Sequence, residues 1–284
     1  MLLEKDNKNI NQEFEDFLDE ELDEKFDTEI DKLHKTKVDY KRIKKIDQSK
    51  KRAAIDSVFD ERTVFNLNKL LVNGPLERVE GIISAGKEAN VYLGYNLRGE
   101  EVAIKIYKID SNTSKWMRNY IIGDPRFKKI PKNISKIIFL WASKEYKNLK
   151  RAYKVGLSVP NPLFIKNNIL IMDYIGFQSI PAPLLKDIKK PRDPIDLMNE
   201  LLLFIKNLYQ KAKLVHGDLS EFNILYHNQK PVVIDISQAV SIHHPKAEVF
   251  LARDIKNIFK YFEKLGIDTP KPEDFYYKVI NYNN

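Results

Sequence analysis

The stretch Gly81–Gly94, GIISAGKEANVYLG, constrains the fold more than any other part of this chain. Gly81, Gly86 and Lys87 match the G-x-x-x-x-G-K spacing of a Walker A loop. A Walker A lysine opens a helix whose N-terminal amides receive phosphate, and a Ser or Thr follows it to bind Mg²⁺. Here Glu88 follows, and after it come Ala-Asn-Val-Tyr-Leu-Gly, the turn Asn96–Gly99 and an alternating run, Glu101–Tyr107. The expected context is strand–loop–strand, and the Walker A match reads as incidental. A parallel sheet built from strand–helix–strand units does not fit this order.

The remaining periodicities agree. A helix is expected over Ala53–Leu71, stopped by Asn73-Gly74-Pro75, and a strand over Leu76–Ile83. Val91–Gly94 and Glu101–Tyr107 pair around the turn, and Leu163–Ile165 and Ile169–Ile175 are further strands. Ser143–Val155 reads as a helix. Asp193-Pro194, a cap and a first-turn proline, opens a long one running to about Leu214. Short strands near Ile224–Tyr226 and Val232–Ile236 precede a helix over Ala247–Leu265, closed by Gly266. Strands and helices segregate, which predicts an α+β fold in two lobes.

Three segments carry chemistry. In VAIKIYK, residues 102–108, Lys105 alternates away from Val102, Ile104 and Ile106 and stands fourteen residues after Val91. V-A-I-K is the protein-kinase pattern that aims a strand lysine at the α/β-phosphates. Such a lysine needs a carboxylate from a helix, and Glu145 is the only acidic residue of Ser143–Val155. In VHGDLSEFNILY, residues 215–226, Asp218 and Asn223 have the catalytic-loop spacing D-x-x-x-x-N. Asp218 can orient and deprotonate a hydroxyl or water, while Asn223 offers a neutral oxygen to Mg²⁺. Asp235 follows twelve residues later, at the end of the hydrophobic run VVID, as a second metal ligand. A strand-buried carboxylate is rare without a partner, and a metal would be that partner. The five histidines show no ligand spacing; His216 is expected to brace the catalytic loop.

The whole chain sets wide bounds. It has 284 residues, no cysteine and a net charge of +8 with a pI near 9.2. Disulfides and thiolate metal sites are excluded, and a reducing cytoplasm fits. No apolar run approaches transmembrane length, so no membrane association is expected. The positive charge suits a polyanion such as RNA. Residues 1–52 form a polarised extension, acidic from Glu13 to Asp31 and basic from Lys32 to Arg52. Phe14, Leu18, Leu22, Phe26 and Ile30 space an apolar stripe along its acidic half.

GIISAGKEANVY, WASKEYKNLKRA, VHGDLSEFNIL and IDISQAV together resemble the RIO atypical serine/threonine protein kinases, specifically the type-one branch. The similarity covers about Asp56 to Leu265. It implies a reduced two-lobed protein-kinase-like fold with an N-terminal helical extension. The implied boundaries are residues 53–80 for the family-specific helix and first strand, 81–175 for the N-lobe and 176–284 for a trimmed C-lobe. The resemblance assigns Ser84, Lys87 and Val91 to the phosphate loop, Lys105 and Glu145 to an ion pair, and Asp218 to catalysis. It places Asn223 and Asp235 on the metal and makes Met172 the gatekeeper, with backbone groups of Asp173 and Ile175 on adenine. ATP with Mg²⁺, or Mn²⁺, is the implied cofactor set. The implied partner is the small ribosomal subunit precursor, rRNA and proteins, during its maturation. Ser111–Phe127 looks like the family's flexible insertion, with Ser111, Thr113 and Ser114 as autophosphorylation acceptors. Asp235 is itself a candidate for transient phosphorylation.

Two departures matter. Gly217 occupies the position of the H-R-D arginine, and only 49 residues follow Asp235, without an A-P-E element. Regulation by an activation-loop phosphate and ordinary peptide docking are therefore not expected, and an ATPase switch becomes the natural reading. Aminoglycoside and choline kinases also carry H-G-D-x-x-x-x-N, so a small-molecule phosphotransferase is one alternative. A nucleotide-binding scaffold for ribosome assembly is another.

Overall fold

The computed structural model describes residues 60–281. The charged extension and residues 53–59 of the first expected helix lie outside the described residues. Helix α1 spans Glu61–Val72. Asp60 caps it, accepting from Thr63 N at 3.0 Å and from Thr63 Oγ1 at 2.8 Å.

Five strands follow in the N-terminal lobe: β1 (Leu76–Ala85), β2 (Ala89–Asn96), β3 (Glu101–Tyr107), β4 (Pro162–Lys166) and β5 (Ile169–Asp173). They form one antiparallel sheet in the order β1-β2-β3-β5-β4. Val102, Ile104 and Ile106 of β3 face Leu67, Leu70 and Leu71 of α1 in one apolar cluster. The alternate residue Ala103 belongs to the core of the other lobe, on the face that carries Lys105. The period of two thus separates structural from chemical side chains, and each buried aliphatic contributes roughly 1.5–3 kcal/mol.

Helix α2 (Ser111–Ile121) and helix α3 (Ile134–Lys154) lie between β3 and β4. Here the structure corrects two expectations. The supposed flexible insertion is a helix capped by Asp110, with Met117 and Ile121 fully buried. Trp116 and Tyr120 meet Trp141 of α3 edge-on at 5.2 and 6.1 Å. Thr113 and Ser114, expected as phosphate acceptors, are buried, with their hydroxyls on Asp110 Oδ2 and Ser111 O; only Ser111 is exposed. Helix α3 starts nine residues before the expected Ser143, capped by Asn133. Its early turns are apolar on several faces because Ile137, Ile138, Leu140 and Trp141 are all buried, which blurs the helical stripe.

The other lobe is mainly helical. Two short strands, β6 (Gly176–Phe177) and β7 (Ile180–Pro181), form a hairpin after the sheet. Helix α4 spans Pro194–Gln210 and ends before the expected Leu214, because Lys213 is left-handed (φ 56°) and Leu214–Val215 form β8. The hairpin of β9 (Ile224–His227) and β10 (Lys230–Val233) precedes Asp235, and β11 (Val240–Ser241) pairs with β8. Helix α5 (Ala247–Lys264) matches expectation, whereas α6 (Pro272–Ile280) was not foreseen. Helix α6 docks through Phe275 on Phe259 and a Gln210 Nε2–Val279 O bond of 2.9 Å. Among the described residues, no helix is long and apolar enough to cross a membrane.

Candidate active site

A cleft of about 520 Å³ opens between the sheet and the helical lobe. Ser84, Lys87, Val91, Lys105, Met172, Asp173, Ile175, Asn223 and Asp235 all line it. Glu145 stands behind the lining and acts through Lys105, and Asp218 stands just outside it, joined to Asn223 by a hydrogen bond. The pairing of β2 with β3 sets Val91 opposite Lys105, which carries the loop over the lysine.

Lys105 is the centre of the cluster. Its Nζ lies 2.9 Å from the Glu145 carboxylate and 2.8 Å from Asp235 Oδ1. Burial works against its charge, but Asp235 and Glu145 outweigh burial and hold its pKa above the ordinary lysine value. Glu145 is fully buried, and burial pushes its carboxyl up to about 7 against the pull of Lys105. Asp235 moves the other way: the cleft floor disfavours its charge, yet Lys105 and the Ser237 hydroxyl (2.8 Å from Oδ1) hold its pKa low. Its side chain is 47% exposed, so the expectation of a strand-buried carboxylate is corrected. Asp235 sits beyond β10, in the left-handed region at φ 57°, and its partners are Lys105 and Ser237.

The catalytic loop is held by hydrogen bonds from two directions. Asn223 Nδ2 donates to Asp218 O at 2.5 Å and its Oδ1 accepts from Ser220 N at 3.0 Å. Asp218 Oδ2 accepts from Gln238 Nε2 at 3.0 Å. Burial raises the Asp218 pKa while Arg253 opposes it, and nearby Asp235 adds to the rise. The direction suits a group that takes a proton from a hydroxyl.

Sequence reasoning missed the residues behind this loop. Asp254 of α5 accepts from Gly217 N at 2.8 Å and Leu219 N at 2.9 Å, gripping both sides of Asp218. Burial pushes its carboxyl up to about 7 although both amides pull it down. Arg253 donates to Gly217 O, and Asn257 Nδ2 to Leu219 O at 3.1 Å. A signal existed: Asp254 interrupts the apolar stripe Phe250, Leu251, Ile255, Ile258. Lys144, beside Glu145, is wholly buried and donates to Ser237 O at 2.5 Å. Burial, reinforced by Arg126, holds its pKa well below the ordinary lysine value. His216 is 1% exposed. It packs behind the loop, where backbone hydrogen bonding at Ile234 partly offsets the effect of burial on its ring.

At the nucleotide-loop end, Lys108 anchors the backbone. Its Nζ donates to Gly86 O at 2.7 Å and its N–H to Glu88 O at 2.8 Å. Glu88 is half-buried in the cleft wall. Burial, then the negative charge of Asp235, pushes it up to about 7. At the far end, the Ile175 carbonyl accepts from Ala182 N at 3.0 Å.

The donor set fits a magnesium ion. Asp235 Oδ1 is occupied by Lys105 and Ser237, and Asp235 and Asn223 line the same cleft. One carboxylate and one neutral oxygen, completed by substrate phosphates and water, is an ordinary Mg²⁺ arrangement.

Comparison with known proteins agrees with this geometry. The family described as the RIO domain matches residues 90–275. The RIO-type serine/threonine-protein kinase Rio1 of Haloferax volcanii is 39% identical over 214 residues, covering 75% of this chain and 72% of that protein. The serine/threonine-protein kinase RIO1 of Caenorhabditis elegans is 42% identical over 219 residues, 76% of this chain but 43% of its own length. Among solved structures, the Rio2 kinase–ADP/Mg²⁺–phosphoaspartate complex from Chaetomium thermophilum superposes with a TM-score of 0.59 at 23% identity, covering 78% of this chain and 66% of that one. That likeness shows the protein-kinase-like fold. With its domain match and its archaeal relative of similar extent, the chain belongs to the RIO family of serine/threonine-protein kinases, a family of phosphotransferases.

Proposed function

We propose that this protein is an ATP- and Mg²⁺-dependent kinase or ATPase switch acting in small ribosomal subunit maturation in the cytoplasm. The carrying observation is Lys105 joining Glu145 and Asp235 in one cleft, with Asp218 held beside it by Asp254. Lys105 orients the phosphates, and Asp218 accepts the proton of the attacking hydroxyl or water. Asn223 and Asp235 would hold the metal, which supplies charge neutralisation on the phosphates. Only the short turn Ile236–Gln238 and β11 lie between Asp235 and α5, which begins at Ala247. That interval leaves little room for a peptide platform and favours turnover as a switch.

The Chaetomium Rio2 complex contains a phosphoaspartate. Here the Asp235 carboxylate is the acceptor we assign to that chemistry. It would attack the γ-phosphorus as the bond to the β-phosphate oxygen breaks and ADP leaves.

The test is ATP turnover, with and without small ribosomal subunits, for wild type, Asp218→Asn and Asp235→Ala. Loss of turnover in both variants is expected; unchanged turnover in both sinks the mechanism. Failure to bind precursor particles sinks the pathway and leaves the enzyme class standing. Hydroxylamine-labile protein phosphate would report an aspartyl linkage, and acid-stable phosphate a serine one.

A further inference from the structure

The positive charge of this protein is not spread evenly. Residues 125–154 carry ten basic side chains and one acid, Glu145, so this segment alone holds more net positive charge than the +8 of the whole chain. That charge does not all share one surface. Lys144 is buried, Arg126 is clamped to Asp124 and Asn148, and Lys150 and Lys154 lie at the far end of α3. A compact outward-facing group remains on the loop before α3: Lys128, Lys129 and Lys132, all exposed and none in an ion pair with a described residue. No acidic residue lies between Pro125 and Lys144.

The loop is held in shape. Arg118 Nη2 donates to Pro131 O at 2.8 Å and Lys132 O at 3.3 Å, which ties it to α2. Its root is tied to the active site. Arg126 bonds Asn148 Oδ1 at 2.6 Å and Ala239 O at 3.2 Å, while Asn148 Nδ2 bonds Ile236 O and Ala239 O at 3.0 Å each. Those carbonyls belong to the turn immediately after Asp235.

We infer that Lys128, Lys129 and Lys132 form a docking face for an RNA phosphate backbone, coupled through Arg126 and Asn148 to the Asp235 turn. The composition selects the partner class. A protein partner needs a buried apolar or aromatic centre, and a lipid surface needs an apolar face to insert. Ile134 is the only large apolar side chain exposed between residues 125 and 144. An array of lysines without an apolar anchor suits repeated phosphates. The choice of RNA over DNA rests on the proposed role in ribosome maturation.

The experiment measures binding of a fluorescent RNA hairpin to the full chain across a salt series. The test variant is the triple Lys128→Glu, Lys129→Glu, Lys132→Glu. The control triple, Lys256→Glu, Lys260→Glu, Lys271→Glu, changes net charge equally on an exposed surface of the helical lobe. The test variant should bind roughly tenfold or more weakly, with a salt slope shallower by about two to three units. The control should stay near wild type. RNA should alter ATP turnover of wild type and of the control, while the test variant keeps basal turnover and loses the response. Equal losses in both triples would mean charge without a site and overturn the inference. Wild-type affinity in the test triple, or displacement of RNA by an acidic polypeptide at lower concentration than by competing RNA, would overturn it too. RNA binding at this face by a chain that turns over no ATP would refute the proposed enzymatic role and leave the docking face intact.

Discussion

Replacing Asp254 by alanine should damage stability and chemistry together, although the side chain touches no substrate. The change removes the acceptor for two amides, Gly217 N and Leu219 N, at 2.8 and 2.9 Å. A buried donor left without a partner costs about 1–3 kcal/mol, so the pair costs roughly 2–6 kcal/mol. For a domain of this size, 1 kcal/mol moves Tm by about 2–4 °C, giving a fall of roughly 5–20 °C. Asp254→Asn keeps one carbonyl oxygen and should lose about half as much. The two freed amides flank Asp218, so kcat for ATP turnover should fall about tenfold or more in the alanine variant. KM for ATP should change little, because Lys105 and the nucleotide loop belong to the other lobe. Circular dichroism melting and steady-state turnover read both effects. An alanine variant that melts within about 2 °C of wild type with unchanged kcat would refute the claim that Asp254 holds the catalytic loop.

Three further outcomes follow from the same geometry. Lys144→Met removes one hydrogen bond from a lysine that burial already holds below its ordinary pKa, so Tm should change little; ATP turnover should drop as Ser237 and Asp235 loosen, and a Tm collapse would contradict this. Gly217 has φ 79° and an added Cβ would meet Gln238 O at 3.4 Å, an ordinary contact, so Gly217→Ala should cost about 1–2 kcal/mol from backbone strain alone, read in a urea titration. His216, pushed down to about 4 by burial, binds fewer protons folded than unfolded between about pH 4 and 6.5. Its contribution to stability is therefore complete above about 6.5 and falls by about 3 kcal/mol as pH drops to 4. Glu88, Glu145 and Asp254, each pushed up to about 7, slope the other way, so the readout is the difference between wild type and His216→Leu across that window.

The sequence carried the sheet well because strands of alternating burial announce their period. Val102, Ile104 and Ile106 lie on one face of β3 and Lys105 on the other, as alternation implies. It carried Glu145 because that helix holds a single acid. Helix α2 and the start of α3 were less legible because they bury several faces at once, against each other and against both lobes. Asp254 and Lys144 were legible only as oddities, a charge on an apolar stripe and a lysine beside the glutamate. Their partners are backbone groups far away in sequence, Gly217 and Ser237, and no local pattern names those. The nucleotide loop shows the converse. Its apparent Walker A spacing is local and incidental, while Lys108, which fixes the loop, lies two strands further on, just after β3.

Lys105 holds Glu145 and Asp235 at the same time, and this alters what nucleotide affinity measures. A phosphate that reaches Lys105 does not meet a bare ammonium; it takes a share of a cation already divided between two anions. Binding is an exchange of partners, and its free energy is the difference between competing ion pairs. Removing the competing aspartate can therefore tighten the binding of metal-free nucleotide while abolishing turnover.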